Sequence, residues 1–357
     1  MTGIKEKIRL IQKNIQIPLG KEIKLMEVCG THTMSIAANG IHSLLPEGIR
    51  LISGPGCPVC VTSQKDIESA LILARKDNVL ITTFGDMIRV PSGKDRLENY
   101  KNVHIVYSPM ESLDLAMENP EKEVVFMGVG FETTAPLIAS TITEADKRKI
   151  ENFSTLCLHK TIPAALELIL SSKDSEIDGL ILPGHVSAVT GSAYYDFLQD
   201  QKTPGVITGF DGLNIMESIY LLTRMILESK TNILNNYTTV VNKKGNTDAM
   251  ELLDIVFEPS DADWRGIGVI PGSGLKIRDQ YKQFDALEKF PMDPLHIEEP
   301  KGCLCGLILM GKVTPPECRH FGTSCTPLRP VGPCMVSSEG TCAAWYKYGR
   351  GDKNSDR

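Results

Sequence analysis

Short apolar runs alternate with helical patterns between residues 25 and 225, and this alternation restricts the possible folds more than any other feature. Eight runs are typical of strands: IKLMEV, IRLIS, VLITTF, VHIVY, EVVFMGV, STLCLH, GLILP and GVITGF. Helical patterns lie between several of them, at residues 63–76, 110–118, 134–148, 162–171 and 213–229. Buried strands that alternate with helices predict parallel α/β sheets.

The strands predict two similar doubly wound parallel-sheet domains, residues 21–127 and 128–230, which face each other across a cleft. Residues 1–20 alternate charged with apolar side chains, so we expect an amphipathic helix that packs on the body. Residues 231–357 show a helical pattern in NTDAMELLDIVFEP, but the run WRGIGVIPGSGLKIRDQY predicts loops. The C-terminal domain is therefore predicted to be mainly helical and irregular, and a metal centre would stabilise it.

The charge and the N-terminus exclude several classes of protein. A net charge of −6 argues against nucleic acid or an anionic membrane as the main partner. We expect no membrane span, since apolar stretches are too short, and the N-terminus lacks the apolar core of a signal peptide. We therefore expect a cytoplasmic protein, in which ten cysteines indicate metal or redox chemistry rather than structural disulfides.

Four unusual loops follow predicted strands. They are MEVCGTHTMS with Cys29 and His32, SGPGCPVCVTS with Cys57 and Cys60, GVGFETTAP with Glu132, and LPGHVSAVTG with His185 and Ser187. Ligands of open α/β sheets bind at the carboxyl ends of the strands. Two domains that face each other would therefore gather three thiols, a carboxylate and imidazoles in one cleft.

Cys57 and Cys60 form a Cys-X-X-Cys motif, which is a redox pair, half of a zinc site, a metal-transfer site or only a tight turn. Its Gly/Pro-rich loop precedes a helix for which Ser63 and Asp66 predict a capping box, and a helix N-terminus favours thiolates. A thioredoxin-type enzyme needs no third thiol such as Cys29. Three thiols fit the handling of iron at least as well, because soft thiolates suit iron, zinc and copper(I).

The remaining polar residues have structural alternatives. His32 is as well explained by a core or capping histidine as by a ligand, and Glu132 is either a helix cap or a site residue, which its Gly-rich surroundings favour. His185 has a stronger case, because Gly184 permits close approach of the backbone. Cys157 lies in an apolar strand and is predicted to be an inert core residue.

Cysteines are dense near the C-terminus. Cys303, Cys318, Cys325 and Cys342 are separated by 14, 6 and 16 residues, and Cys305 and Cys334 lie among them. Four thiolates suit a structural Zn(Cys)4 site or a [4Fe–4S] cluster. The chain lacks both the paired short spacings of zinc sites and the ferredoxin run, and the iron–sulfur alternative is favoured.

Six segments together resemble the HypD family of hydrogenase maturation factors, in the same order along nearly the whole chain. The segments are EVCGTHT, GPGCPVCVT, GVGFETTAP, LPGHVSAVTG, PGSGL and CTPLRPVGPCMVSSEGTCAAWY. The resemblance implies two similar α/β domains around a cleft and a third domain with a [4Fe–4S] cluster. It also implies a function, the assembly of the Fe(CN)2CO group of [NiFe]-hydrogenases.

The resemblance assigns residues and partners as well. Cys29 would ligate the iron under assembly, with Cys57 and Cys60 beside it as a redox-active dithiol or as further ligands. His185 and Glu132 would line the cleft. The cluster cysteines would be Cys303, Cys318, Cys325 and Cys342, with Cys305 or Cys334 as possible replacements for one of them. HypC would form the complex and HypE would deliver cyanide, with HypF upstream; the free protein is expected to be a monomer.

A free-standing thiol–disulfide oxidoreductase with a structural metal site in its C-terminal domain is the alternative function. It explains Cys57 and Cys60 but gives Cys29 and the other loops no role. A third alternative is a passive scaffold that presents iron to its partners. The sequence does not decide whether the chain itself catalyses a step.

Overall fold

The fold was obtained as a computed structural model, which describes residues 2–293, 295 and 297–349. The strands are β1 Ile23–Glu27, β2 Ile49–Ser53, β3 Val79–Thr83, β4 Val103–Ile105, β5 Glu123–Gly128, β6 Phe153–Cys157, β7 Gly179–Pro183, β8 Gly205–Thr208, β9 Ile233–Asn235, β10 Phe257–Trp264 and β11 Gly268–Ile277. The helices are α1 Thr2–Asn14, α2 Gly30–Ala38, α3 Pro58–Val61, α4 Gln64–Ala74, α5 Glu111–Glu118, α6 Ala135–Arg148, α7 Ile162–Ser171, α8 Gly184–Thr190, α9 Gly212–Leu227, α10 Thr247–Val256, α11 Ala286–Lys289, α12 Cys305–Leu309 and α13 Thr341–Tyr348.

Two parallel sheets form the body of the protein. The first has five strands in the order β2-β1-β7-β8-β9, and the second has four in the order β4-β3-β5-β6. Every pairing in both sheets is parallel. The eight predicted strands correspond to β1–β8, so the predicted parallel α/β class is confirmed, and the short β9 is an addition to it.

The two sheets do not divide the chain in sequence order. The chain leaves the first sheet after β2, builds the second from β3–β6, and returns to the first with β7. The expected boundary at residue 128 lies at the end of β5, which pairs with β6 in the same sheet. The reason is physical: alternation identifies parallel strands, but long crossovers can join strands of either sheet, so the pattern does not specify partners.

Helix α4 follows from local sequence signals. The Ser63 side chain accepts a hydrogen bond from the Asp66 amide at 3.2 Å, and the Asp66 carboxylate accepts one from the Ser63 amide at 3.2 Å. This reciprocal pair is the capping box that the sequence predicts, and it satisfies two amides that the first helical turn leaves free. The buried face of α4 includes Ile67 and Leu71, which lie in the largest apolar core.

The first sheet is covered on one face by α9, and the N-terminal helix α1 packs against α9. Ile8 and Ile11 of α1 border an apolar cluster that contains Ile219 and Leu222 of α9. The amphipathic pattern of the first residues therefore reflects this contact. Within the described ranges, none of the helices is long and apolar enough to cross a membrane.

The C-terminal third contains a hairpin where the sequence predicts loops. Strands β10 and β11 pair antiparallel, with an irregularity between Ser260 and Ala262. The Pro and Gly residues of VIPGSG are typical of turns, so the sequence does not predict β11 there. Proline is tolerated in a strand that has a free edge, and both strands of a two-stranded ribbon have a free edge. The predicted helix nearby is confirmed as α10.

The strand order reverses once in each sheet. In the first sheet β1 lies between β2 and β7, and in the second β3 lies between β4 and β5. The loops that leave neighbouring strands at such a point run in opposite directions and open a crevice. The Cys29 loop follows β1 and the His185 loop follows β7, so these two loops meet at the reversal in the first sheet.

The capping box yields a prediction. Ser63→Ala removes the acceptor for the Asp66 amide and should lower the free energy of unfolding by about 1 kcal/mol. Ser69→Ala in the same helix is the control, because the Ser69 hydroxyl donates to the Lys65 carbonyl within its own helix and does not cap it. Urea titrations followed by circular dichroism measure both; equal losses in the two variants would contradict the assigned role of the cap.

Candidate functional site

Cys29 occupies the N-cap position of α2, directly after β1, and only 7% of it is exposed. The Gly30 amide donates to the Gly56 carbonyl at 3.0 Å. A Cβ on Gly56 would lie 2.3 Å from the Cys29 nitrogen, so only glycine allows this contact. Burial raises the pKa of the Cys29 thiol to about 11, and Cys29 is therefore a protonated thiol at neutral pH.

Cys57 and Cys60 are joined in a disulfide. Cys57 caps the short helix α3, and the Cys60 amide donates to the Cys57 sulfur at 3.2 Å. Both residues are almost fully buried. Because Gly56 precedes Cys57 and contacts Cys29, the dithiol motif and the third thiol come together as the sequence predicts.

His185 and His32 contact the same aromatic ring but differ in environment. Both imidazole rings stack on Phe210, with ring centroids 4.0 Å apart for His185 and 4.7 Å apart for His32. His32 is fully buried, its Nε2 bonds the carbonyls of Thr208 and Gly209, and burial lowers its pKa to about 4. It is a neutral core histidine, whereas His185 is exposed at the sheet edge.

Glu339 joins this group from the C-terminal segment, and sequence reasoning missed it. The Thr31 hydroxyl donates to its carboxylate at 2.6 Å, and a Cβ on Gly30 would lie 2.6 Å from the Glu339 Cβ. The Glu339 charge contributes to raising the pKa of Cys29 and opposes the lowering of the His185 pKa by burial. The one sequence signal was an acidic residue within the family-like run SSEGT.

Glu132 is placed differently from the cleft-lining position that we expected. It is 2% exposed, and one carboxylate oxygen accepts from the Ile162 amide at 2.7 Å and from the Tyr194 hydroxyl at 2.6 Å. Its other oxygen has no hydrogen-bond partner among the described residues. Glu132 thus caps the N-terminus of α7 from another segment of the chain and is hydrogen-bonded to Tyr194. Burial raises the pKa of the Glu132 carboxyl.

The C-terminal cysteines surround a small cavity. It is lined by Cys303, Cys305, Cys318, Cys325 and Cys342, together with Ile308, His320, Phe321, Gly332 and Met335. All four predicted cluster cysteines therefore lie on one cavity, and Cys305 lies there too. Cys334 is fully buried and is not part of this lining.

The cavity has the chemistry of a site for a thiolate-bound cluster. The Val331 amide donates to the Cys325 sulfur at 3.3 Å, and the sulfurs of Cys303 and Cys305 are 3.3 Å apart. A Cβ on Gly332 would lie 2.6 Å from the Cys305 sulfur, so a larger residue at this position would clash with that sulfur. An amide that donates to sulfur is a known determinant of cluster potentials.

The side chains of this region are not grouped around a single point. Across the described ranges, no three His, Cys, Asp or Glu side chains are grouped so that they could hold one ion. An iron–sulfur cluster differs from a single ion in having several irons, each with its own thiolate.

Helix α3 connects the two groups of sulfurs. It packs against residues Pro333–Met335 and against α12, the segments that carry Cys334 and Cys305. Cys57 and Cys60 share one apolar core with cysteines of the C-terminal segment. The dithiol thus touches the Cys29 loop on one side and the cysteine-rich segment on the other.

The chain matches a family model for nearly its whole length. The model, HypD, is described as "Hydrogenase formation hypA family", and the match covers residues 2–349.

Curated relatives carry similar names. The chain is 44% identical over 343 residues to "Hydrogenase expression/formation protein HupD" of Azotobacter chroococcum, covering 92% of this chain and 90% of the relative. It is 43% identical to "Hydrogenase maturation factor HypD" of Azotobacter vinelandii, with the same coverage. Identity to the protein of that name in Escherichia coli is 39% over 349 residues, covering 96% and 94% of the two chains.

The buried Glu132 carboxyl predicts a pH dependence of stability. An unfolded glutamate titrates near pH 4.3, whereas burial raises the pKa of Glu132 in the folded protein. Folding therefore takes up a proton between the two pKa values, and this residue destabilises the fold as the pH rises through that range. Glu132→Gln keeps an acceptor oxygen for Ile162 and Tyr194, and its stability relative to wild type should increase from about pH 4.3 upward.

Urea titrations across pH measure this difference. Glu167→Gln is the control, because Glu167 is an exposed residue of α7, the helix that Glu132 caps. A difference between wild type and Glu132→Gln that does not change with pH would show that folding leaves the pKa of this carboxyl unshifted, which would contradict the prediction.

Proposed function

Because the chain belongs to the HypD family of hydrogenase maturation factors, we propose that it holds iron while the Fe(CN)2CO group of a [NiFe]-hydrogenase is assembled. HypC forms the complex with it, and HypE delivers cyanide that HypF prepares. The observation that carries the proposal is that the GPGCPVC segment contacts both groups: Gly56 meets the Cys29 loop, and α3 meets the cysteine-rich segment. A dithiol in that position can pass electrons between two sites.

In this proposal iron is the cargo, and Cys29 is its ligand on this chain. The buried thiol has a raised pKa, so iron binding displaces its proton. The exposed His185 lies on the neighbouring loop, and Glu339 is near enough to influence both groups. We assign proton exchange with solvent to His185. Glu132 keeps α7 and Tyr194 in place rather than touching the cargo.

The cysteine cavity is the proposed position of a [4Fe–4S] cluster, with Cys303, Cys318, Cys325 and Cys342 as ligands. A bound cluster would supply electrons one at a time from an external electron-transfer protein. The Cys57–Cys60 disulfide takes up two electrons and two protons and becomes two thiols. It re-forms when the dithiol passes the two electrons to the iron-bound cargo at Cys29, which is thereby reduced by two electrons, and releases the two protons.

A general thiol–disulfide oxidoreductase is less well supported. Cys57 is 3% exposed and Cys60 is fully buried, so a substrate protein's disulfide could not reach either sulfur. Attack on a disulfide requires access to the thiolate. The geometry favours electron transfer to a bound cargo over exchange with a second protein.

Cysteine variants test the relay. Cys57→Ala and Cys60→Ala should each abolish hydrogenase maturation in a strain without its own copy of the gene, because neither retains a disulfide to reduce. Both should keep their iron content, since their fold and the cysteine cavity are unchanged. Cys29→Ala should lose the cargo iron while circular dichroism shows a native fold.

Cys157→Ala is the matched control for these variants. Cys157 lies in β6 of the second sheet, where its sulfur donates to the Leu275 carbonyl of β11 and contacts the His159 ring, away from α3. It should mature hydrogenase as the wild type does. Full maturation by Cys57→Ala or Cys60→Ala would overturn the relay and leave a scaffold, whereas turnover of a small disulfide by the wild type would favour the oxidoreductase.

Crowding the cysteine cavity tests its role separately. Gly332 has φ −127°, which alanine can adopt, but the added Cβ would press against the sulfurs of Cys305 and Cys303. Gly332→Ala should therefore bind several-fold less iron and sulfide after anaerobic reconstitution. Gly85→Ala is the control, since its Cβ would meet nothing closer than 3.7 Å. Equal iron and sulfide in the two variants would exclude this cavity as the cluster site.

A further inference from the structure

The tip of the β10–β11 hairpin, residues 264–268, lies between the two groups of sulfurs. The Arg265 amide donates to the Val61 carbonyl of α3 at 2.9 Å. On the other side, a Cβ on Gly306 would lie 2.6 Å from the Gly266 Cα, so the hairpin backbone touches the turn that carries Cys305. The tip is therefore in contact with the dithiol segment and with the cysteine cavity at once.

Arg265 is the charged residue at this tip, and it is 1% exposed. Its Nη2 donates to the Gln64 side chain, and its Nε lies 3.1 Å from a carboxylate oxygen of Glu299. Its Nη1 has no hydrogen-bond partner within the part of the chain that the structure describes. Gln64 is the first residue of α4, directly after the dithiol segment, so Arg265 is fixed from that side.

Gln64 and Glu299 do not satisfy this guanidinium. A buried donor without an acceptor costs about 1–3 kcal/mol, and more for a charged group. Glu299 is 39% exposed, so water screens its charge and weakens its compensation of the guanidinium. An additional anion beside the guanidinium would remove part of this cost.

Beyond Glu299, the anionic groups that this part of the fold can supply are cysteine sulfurs. Gly306, which touches Gly266 of the hairpin tip, directly follows Cys305. The sulfurs of Cys305 and Cys303 are 3.3 Å apart, and both residues line the cysteine cavity. The tip therefore brings a buried positive charge to the segment that carries two sulfurs of the cavity.

We propose that Arg265 is a positioning residue whose buried positive charge, held at the hairpin tip beside the Cys305 segment, raises the reduction potential of the group bound in the cysteine cavity. The inference rests on the proposed function, because it needs a cluster at that cavity. An electron added to the cluster makes its sulfurs more negative, and a nearby buried cation stabilises that charge. Hydrogen bonds from outside the ligand set tune metal centres in the same way.

Two variants with opposite expected effects test the inference. Anaerobically reconstituted protein is equilibrated with a redox mediator, and the reduced fraction is read from the visible absorption. Arg265→Gln removes the cation and should shift the equilibrium at least tenfold toward the oxidised form, which is about 59 mV for one electron. Glu299→Gln removes the opposing anion and should shift the equilibrium toward the reduced form.

Arg278→Gln is the matched control. Arg278 follows the far end of the same hairpin, where it pairs with Glu258 and is 40% exposed. The same loss of one positive charge there should leave the equilibrium within twofold of wild type. Arg265→Lys keeps the charge and should restore at least part of the shift, which a purely structural role of the side chain would not produce.

The outcomes are distinguishable. A wild-type protein that binds no iron and sulfide would overturn the proposed cluster and this inference together. Iron-loaded Arg265→Gln and Glu299→Gln with the potential of wild type would overturn only the role of Arg265. If Arg265→Gln does not fold or load, Glu299→Gln decides alone: a shift toward the reduced form supports the inference, and no shift overturns it.

Discussion

The pairing of β1 with β7 is the contact on which the rest of the structure depends. Leu25 pairs with Gly179 and Glu27 with Ile181, which joins the first strand of the chain to one that follows the whole second sheet. Such a pairing is costly in loop entropy, and burial of the apolar side chains of both strands in shared cores offsets that cost. Once it has formed, the reversal of strand order brings the loops of Cys29 and His185 together. No local sequence signal predicts that the loops of Cys29 and His185 lie next to each other.

Close backbone contacts between glycines and other segments join the sulfur-bearing loops. Gly56 touches Cys29, Gly30 touches Glu339, and Gly306 touches Gly266, each at a distance that a Cβ would prevent. These contacts explain why short irregular segments can be held rigidly beside one another without long helices. They also explain why glycines accompany the cysteines in GPGCPVC and KGCLCG: the backbone must approach closely wherever two sulfur segments meet.

The sequence predicts local structure well because local signals determine it. The alternation of apolar strands with helices, and the Ser63–Asp66 capping box, need only neighbouring residues, and both are present in the structure. Sheet membership is not predictable in this way, since parallel crossovers can lead to either sheet. The hairpin of β10 and β11 was missed because Pro271 and its glycines look like turn residues. Glu132 was expected at a cleft surface, but its position depends on Tyr194, which lies far away in the chain.

The same limit applies to the candidate site. Cys29, Cys57 and Cys60 could be grouped because each follows an adjacent strand end, whereas Glu339 reaches Cys29 only through the C-terminal segment. A Cβ on Gly340 would lie 2.2 Å from the Cys334 carbonyl oxygen, so the backbone next to Glu339 is fixed by the backbone of the cysteine-rich segment. Helix α13, which begins after Gly340 and carries Cys342, packs on α2, the helix that Cys29 caps. Anything that orders the cysteine cavity therefore also fixes the Glu339 carboxylate beside the Cys29 thiol. A metal group bound in the cavity, as the proposed function has it, would stabilise this segment, which is poor in regular structure. The backbone would then carry that effect to the geometry at Cys29, independently of any transfer of electrons between them.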